Sequence, residues 1–243
     1  MKKDIIILAA GVGSRLRPLT DAVPKCLVQV NGEAIIERVL MQINAVDTIE
    51  KEIFIVTGYK SEVLTDFVNG LGVRVKYIYN ADYETTNNMY SLNLALKQTD
   101  READLVIINA DCFYDASIVT EMLNASGNYI AVDKGVFNEE SMKVKTNEVG
   151  EIMAMAKSLV DEANTFVSMD IYTLNKTLKQ ELFNITNTVI NSGDLNSWTE
   201  VALDLLSRGD EKILTQDFTS KNWMEIDDHA DLKKAESIFK VQD

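Results

Sequence analysis

Groups that bind phosphate are concentrated in one stretch near the amino terminus, LAAGVGSRLRPLTDAVPKCLVQVN, directly after an apolar run. Gly11 and Gly13 allow backbone N–H groups to approach an anion closely. Arg15 offers a guanidinium that binds phosphate oxygens in pairs, and Lys25 offers a point charge. Leu16 stands where a dinucleotide fingerprint has its third glycine, and the Gly-Lys-Ser/Thr of a P-loop is missing. The stretch therefore predicts a phosphate site of another kind.

A candidate metal ligand follows a second apolar run, in LVIINADCF. Asp111 comes just after the carboxyl end of the predicted strand, and open parallel sheets bind their ligands at that edge. A carboxylate there is suited to Mg²⁺, which is typically held by one or two carboxylates together with substrate phosphates. The alternative for an isolated aspartate is that it caps a loop.

The elements that must position these groups alternate between strand and helix through about residue 128. Short apolar runs followed by helical periodicity are typical of βαβ units and a mostly parallel sheet. After about Tyr129, short strands with little helix between them indicate antiparallel additions. The sequence thus predicts an α/β fold with a mixed, mostly parallel sheet flanked by helices and an antiparallel extension on the substrate side. We expect one domain over residues 1–243, with one half of about 1–128 plus 222–243 and a substrate-side half of about 129–221.

The charge of the chain limits its partners. With a formal net charge of −14 over 243 residues, the protein is expected to repel nucleic acid and anionic membranes. Cationic residues nevertheless cluster in the first 25 positions, which indicates a small anionic ligand. Cys26 and Cys112 share no metal-type spacing and are expected to be reduced, as in a cytoplasmic protein. The apolar run Ile5–Ala10 is too short for a membrane span or a signal-peptide core.

The amino-terminal string resembles the signature of the nucleotidyltransferases that load small phosphates or sugar phosphates onto nucleotides. Their pattern, LAAGxGxRLxPxT followed by PKxLxxxxGxP, is matched except that Ala34 replaces the last proline. The resemblance implies a Rossmann-like mixed sheet and a nucleotide held by the turn and its cations. The segment NWMEIDDHADL resembles the late EID-type motif of that family. This makes Asp227 the second Mg²⁺ carboxylate beside Asp111 and leaves Asp228 as a helix cap.

A third segment, ADYETTNNMYSL, resembles the cytidylyltransferases that act on phosphocholine and on aminoethylphosphonate. The resemblance implies that either Asn87 or Asn88 hydrogen-bonds a pyrimidine edge while the other caps a helix, and that Ser91 faces the nucleotide. The nucleotide-binding residues predicted in this way are Leu8, Ala10, Gly11, Gly13, Ser14, Arg15, Lys25, Asn87, Asn88, Ser91 and Ala110.

The resemblance makes the half of about 1–128 plus 222–243 the nucleotide half, and the half of about 129–221 the acceptor half, where the phosphorylated second substrate would bind. The acceptor half carries weaker signals. In SWTEVALDLL, the aromatic ring of Trp198 and the charge of Glu200 would receive a cationic head group, as in the phosphocholine-type enzymes. Lys157 resembles the family lysine that contacts the acceptor phosphate. One departure is the strand FVSMDIY, where Val167 or Ser168 stands in place of a family glycine. The predicted acceptor-binding residues are Asp133, Lys157, Asp170, Trp198 and Glu200, and the predicted catalytic residues are Arg15, Lys25 and Lys157.

These resemblances predict a Mg²⁺-dependent enzyme that transfers CMP from CTP to a small phosphomonoester or phosphonate and releases pyrophosphate. The acceptor stays open among phosphocholine-like compounds, amino-bearing compounds and phosphorylated amino acids or amides. The enzyme is expected to act in cell-surface polysaccharide biosynthesis. One alternative is a hexose-1-phosphate nucleotidylyltransferase that uses UTP or dTTP. Another is a non-catalytic regulatory protein that binds nucleotides. A homodimer is left open, and no nucleic acid or membrane partner is expected.

Overall fold

A nine-stranded mixed sheet lies at the centre of the computed structural model, which describes residues 2–135, 137 and 139–240. The strands are β1 (Lys2–Ala9), β2 (Gln29–Val30), β3 (Glu33–Ala34), β4 (Glu50–Thr57), β5 (Lys76–Tyr79), β6 (Asp104–Asn109), β7 (Cys112–Tyr114), β8 (Tyr129–Asp133), β9 (Lys143–Thr146), β10 (Ile152–Ala156), β11 (Thr165–Leu174), β12 (Leu214–Asp217) and β13 (Trp223–Glu225). The helices are α1 (Ile35–Asn44), α2 (Ser61–Gly70), α3 (Asn88–Leu96), α4 (Ala116–Asn124), α5 (Lys176–Asn191), α6 (Thr199–Ser207) and α7 (His229–Ile238).

The main path through the sheet runs β10-β9-β11-β6-β1-β4-β5, and β8 joins β11 to β12 beside it. Strands β6, β1, β4 and β5 are parallel to one another. Strand β11 is antiparallel to β6, β8 and β9, and β9 is antiparallel to β10. The predicted fold class, a mostly parallel sheet with an antiparallel extension, is therefore confirmed.

Strand β1 shows why the first apolar run is continuous. Ile5 and Ile7 are fully buried in the hydrophobic cluster on one face of the sheet, whereas Ile6 and Leu8 belong to the cluster on the other face. A central parallel strand is covered by helices on both faces, so both sets of its alternating side chains are apolar. The polar residues that follow β1 and β6 therefore emerge together at the carboxyl edge of the sheet.

A short antiparallel ribbon, β7 with β13, extends this edge. Glu225 lies opposite Cys112, and the Ile226 N–H donates to the carbonyl of Asp111 at 2.9 Å. The ribbon brings the segment that contains Asp227 next to the end of β6, although the two are distant in sequence. Helix α7 then begins after Asp228, whose carboxylate accepts from the Ala230 N–H at 2.7 Å, as predicted for the cap.

Both cysteines are free and buried. None of the helices in the described part of the chain combines the length and the apolar character that a membrane crossing needs.

Candidate active site

A cavity of about 350 Å³ opens at the carboxyl edge of the parallel strands. Leu8 of β1, Asn80 after β5 and Asn109 of β6 contribute to its wall. Thirteen residues predicted as site residues line it: Leu8, Ala10, Gly11, Arg15, Asn87, Asn88, Ser91, Asp111, Lys157, Asp170, Trp198, Glu200 and Asp227. One cavity thus joins the nucleotide motif to the acceptor segments.

Lys25 links the two predicted metal carboxylates. Its ammonium donates to Asp111 Oδ2 at 2.9 Å and to Asp227 Oδ1 at 2.7 Å. The other oxygen of Asp227 pairs with the Arg15 guanidinium at 2.9 Å. Burial alone would lower the pKa of Lys25, but the two carboxylate charges outweigh it and raise that pKa, so the ammonium stays charged. The predicted phosphate-binding cations and the two acids therefore meet at one end of the cavity.

The glycine-rich turn is shaped to admit the Lys25 side chain. Gly13 has φ +66°, and a Cβ at this position would lie 2.8 Å from the Lys25 Cβ. Thr20 secures the turn by donating from its hydroxyl to the Gly13 carbonyl at 2.9 Å. Glycine is needed here both for the left-handed backbone and for the close packing. Gly13 consequently packs against the Lys25 side chain and does not itself line the cavity.

A third carboxylate, Glu225, completes a cluster suited to a divalent cation. One oxygen each from Asp111, Glu225 and Asp227 lie within 4.8 Å of one another. Burial, followed by the charges of Asp170, Asp111 and Asp227, raises the pKa of Glu225 to about 9. Such mutual repulsion is relieved when a cation is bound, and hard oxygen ligands suit Mg²⁺. The Lys25 ammonium already contacts two of these carboxylates, so the geometry of the cluster fits a small cation.

The opposite end of the cavity is an aromatic and acidic wall. The ammonium of Lys157 lies 4.6 Å from the centroid of the Trp198 ring and 3.1 Å from a carboxylate oxygen of Glu140. Trp198 is 41% exposed and lines the cavity. An ammonium group held over an indole is a favourable arrangement, stronger when water is excluded. This wall is therefore able to receive a cationic group.

Behind the ring, Tyr172 joins two buried carboxyl groups. Its hydroxyl lies 2.8 Å from Asp170 Oδ1 and 2.6 Å from Glu200 Oε1. A phenol has one proton, so two short contacts to carboxyl oxygens require a second proton on one of the acids. Burial and the charges of Glu200 and Asp111 raise the pKa of Asp170 to about 7, which supplies that proton. The pair therefore has a lower negative charge near neutral pH than two free carboxylates.

Strand β11 is irregular beside the cavity, at Asp170. The register between β11 and β8 shifts between Ser168 and Tyr172, and Asp170 has φ +60°. A bulge of this kind bends a strand. Ser168, Asp170 and Tyr172 still alternate with Met169 and Ile171, which belong to the core on the other face of the sheet, so Ser168 and Asp170 reach the cavity wall together.

An Asp170→Asn variant is expected to be more stable than wild type at pH 8 and nearly equal at pH 4, without ligand and in EDTA. Because the pKa of Asp170 is about 7 when folded against 3.8 for a free side chain, the folded state holds more protons between these values. The free energy of unfolding therefore falls as pH rises through that window. Asparagine keeps an oxygen for Tyr172 and tolerates positive φ, so removing the charge should add about 2 to 4 kcal/mol at pH 8. Urea unfolding at both pH values measures the difference.

The same exchange at the exposed Asp66 of α2 serves as a control and should change stability little at either pH. An Asp170→Asn effect that is the same at pH 4 and pH 8 would show that the Asp170 charge does not set this pH dependence.

Some predicted residues lie outside the cavity wall. Asp133 accepts a hydrogen bond from Trp223 Nε1 at 2.8 Å, so its carboxylate is engaged with the β7–β13 side of the molecule instead of the cavity. Ser14 is exposed in the turn, and Ala110 is buried with its N–H donating to the Leu8 carbonyl at 3.1 Å. Asp133, Ser14 and Ala110 are therefore not part of the proposed site.

The cavity also includes residues that the sequence motifs did not indicate. The added wall residues are Asn80, Tyr83, Thr86, Asn109, Met142 and Glu225. Asn109 ends β6 and Asn80 follows the last residue of β5, and this position at the carboxyl end of a parallel strand was a usable signal. Asn80 donates to the hydroxyls of Thr86 and Ser91 at 3.1 and 3.0 Å, which fixes the entry to α3.

Comparison with known proteins identifies related sequences. The family model described as the MobA-like NTP transferase domain matches residues 5–180. The choline-phosphate cytidylyltransferase of Streptococcus pneumoniae is 26% identical over 237 residues, covering 97% of each chain. The CTP:phosphoglutamine cytidylyltransferase of Campylobacter jejuni is 36% identical over 134 residues, which are 53% of this chain and 52% of that relative. The chain therefore spans about half the length of the Campylobacter relative in this match.

Among solved structures, the CTP:phosphocholine cytidylyltransferase from Streptococcus pneumoniae superposes with a TM-score of 0.83. The match covers 99% of this chain and 100% of that one at 22% sequence identity. At this level of identity the likeness establishes a common fold.

Proposed function

We propose that this chain, which belongs to the MobA-like NTP transferase family, is a cytidylyltransferase that transfers CMP from CTP to a small acceptor bearing both a phosphate or phosphonate and a cationic nitrogen. One observation carries the proposal. A single cavity has a cation-lined phosphate end at Arg15 and an ammonium-binding wall at Trp198. The cytidylyltransferase relatives from Streptococcus and Campylobacter support the choice of nucleotide.

In the proposed reaction, an oxygen of the acceptor phosphate or phosphonate attacks the α-phosphorus of CTP. The new oxygen–phosphorus bond forms as the bond to the departing pyrophosphate breaks. The attacking oxygen is already anionic, so no general base is required, and catalysis consists of positioning and charge stabilisation. Arg15 and Lys25 offset the charge of the triphosphate in this scheme.

The acceptor end of the cavity suits a zwitterion. The ammonium of Lys157 lies over the Trp198 ring, 4.6 Å from its centroid, where a cationic nitrogen of the acceptor would bind. Displaced from the ring, Lys157 would pair with the acceptor phosphate. Glu200, only 4% exposed, and Asp170, 9% exposed, would face the positive charge of the acceptor. A neutral hexose would leave these buried acids without a cation, at a cost in affinity.

We propose Asp111 and Asp227 as the ligands of Mg²⁺, with Glu225 beside them. When bound, the ion would supply positive charge to the α-phosphate and polarise it toward attack. In the protein alone, Lys25 balances the charge of both aspartates, and a bound metal ion would leave its ammonium available to the triphosphate.

The test is pyrophosphate release from CTP, UTP, dTTP, ATP and GTP, each with Mg²⁺ and one acceptor. The acceptors are choline phosphate, phosphoethanolamine, 2-aminoethylphosphonate, phosphoglutamine and glucose 1-phosphate. We expect CTP with a nitrogen-bearing acceptor to exceed CTP with glucose 1-phosphate by about a hundredfold in kcat/KM, since the buried acids pair with a cation. Turnover that is fastest with UTP or dTTP and glucose 1-phosphate would favour a sugar nucleotidylyltransferase. CTP binding without pyrophosphate release from any acceptor would favour a regulatory protein.

A further inference from the structure

The amino end of α3 is joined to the segment that leads into α6. The Asn87 N–H donates to the Leu195 carbonyl at 2.9 Å, and the Asn87 side-chain amide donates to the Asn196 carbonyl at 3.2 Å. The third bond runs the other way: the Thr199 N–H donates to Asn88 Oδ1 at 2.8 Å. Asn87 and Asn88 thus hold the segment that leads into Trp198 and Glu200, on the aromatic and acidic wall of the cavity.

The bond to Thr199 replaces a missing helix cap. The first N–H groups of a helix have no partner within the helix and are usually satisfied by a Ser, Thr, Asp or Asn side chain just before it. In α6 this position is Trp198, whose side chain makes no capping hydrogen bond. Asn88 supplies the oxygen from a different helix. An indole ring has no acceptor for such a bond, so the Trp198 ring lines the cavity while Asn88 provides the cap.

Two wall groups depend on how the first turn of α6 is placed. Trp198 immediately precedes Thr199, and Glu200 immediately follows it. Glu200 must reach the Tyr172 hydroxyl at 2.6 Å, while the Trp198 ring must present a face to the Lys157 ammonium. A shift of the uncapped turn would displace both groups together, because they flank the one N–H that Asn88 holds.

The geometry points to Asn88 as a positioning residue for the acceptor, acting through Thr199 on Trp198 and Glu200. This inference rests on the proposed function and deepens it. The side chain of Asn88 also lines the cavity, and in the described part of the chain its amide nitrogen has no hydrogen-bond partner. The oxygen of Asn88 serves the Thr199 N–H, and this is the contact that the test removes.

The test compares Asn88→Ala with Asn88→Asp, using choline phosphate and CTP as probes. Loss of a helix cap corresponds to about a tenfold effect, so Asn88→Ala should raise the KM for choline phosphate about tenfold and the KM for CTP less than about threefold. Asn88→Asp keeps an oxygen for the Thr199 N–H and adds a charge favoured at a helix amino terminus. It should restore the choline phosphate KM to within about twofold of wild type. Equal increases for both substrates, or failure of the aspartate to restore the KM, would overturn the inference.

Asp115→Ala is the matched control, because Asp115 caps α4 by accepting from the Ser117 N–H at 3.0 Å, outside the cavity wall. It should leave both KM values near wild type.

A readout without turnover separates this inference from the proposed function. In a Trp223→Phe background, Trp198 is the remaining tryptophan. The acrylamide quenching constant of Trp198 should rise in Asn88→Ala and return in Asn88→Asp. An unchanged constant in Asn88→Ala would refute the positioning role whatever the substrate proves to be. If the quenching constants change as expected but the protein does not turn over choline phosphate, the positioning role of Asn88 stands and choline phosphate is excluded as the acceptor.

Discussion

An Asp111→Asn variant is expected to lose about a thousandfold in kcat while keeping its fold. The amide removes a charged ligand from the proposed Mg²⁺ site, and metal stabilisation of a transferring phosphoryl group is worth several kcal/mol. The fold should survive because Lys25 keeps its second carboxylate partner, Asp227, at 2.7 Å. No buried charge is left alone by the substitution. Pyrophosphate release at saturating CTP gives the rate, and urea unfolding gives the stability.

Asp228→Asn provides the control on the same segment. Asp228 caps α7, and asparagine is an equally good cap, so this variant should turn over at close to the wild-type rate. Mn²⁺ binding in the presence of CTP should weaken in Asp111→Asn and not in Asp228→Asn. If Asp111→Asn turned over as fast as wild type, Asp111 would not be a metal ligand in the reaction.

The parallel core was readable from the sequence because burial on both faces leaves unbroken apolar runs. In β4 the run Ile53–Thr57 is buried throughout, and α1, Ile35–Asn44, buries its apolar residues at helical spacing. The glycine, arginine and lysine motif was equally direct. Short-range signals therefore predicted the elements and the phosphate-binding groups.

The β7–β13 ribbon was not predicted. Its strands, CFY and WME, are three residues long, too short to show periodicity, and they pair although more than 100 residues separate them. Glu225 was missed for that reason, since only the pairing brings it beside Asp111. Helix α4 was also overlooked, although Asp115 followed by buried Ile118 and Val119 offered a capping residue and a helical apolar pattern.

Asn87 and Asn88 show that the type of a residue does not by itself determine what its side chain binds. One was expected to cap a helix and the other to hydrogen-bond a pyrimidine. Asn87 does cap α3, by accepting from the Asn88 N–H at 2.8 Å, but it also holds Asn196. Asn88 caps a second helix through Thr199. Contacts between α3 and α6 depend on the tertiary packing of distant segments, which no local pattern encodes.

A Lys25→Met variant is expected to lose about a hundredfold to a thousandfold in kcat/KM for CTP, as removal of a preorganised charge from a phosphoryl-transfer site does. It should also bind Mn²⁺ more tightly than wild type when no nucleotide is present, by about tenfold. The Lys25 ammonium contacts Asp111 at 2.9 Å and Asp227 at 2.7 Å, so in wild type a metal ion must displace it. Isothermal titration with MnCl₂ measures this second effect directly.

The opposite directions of the two effects distinguish this role from a general loss of structure. A misfolded variant would lose both activity and metal binding, whereas removal of a competing cation weakens one and strengthens the other. Mn²⁺ should also raise the melting temperature of Lys25→Met more than that of wild type, because Asp111 and Asp227 then lack the competing Lys25 ammonium. Lys234→Met, at an exposed position on α7, should leave both quantities unchanged. If Lys25→Met binds Mn²⁺ without nucleotide no more tightly than wild type does, Lys25 and the metal ion do not compete for Asp111 and Asp227.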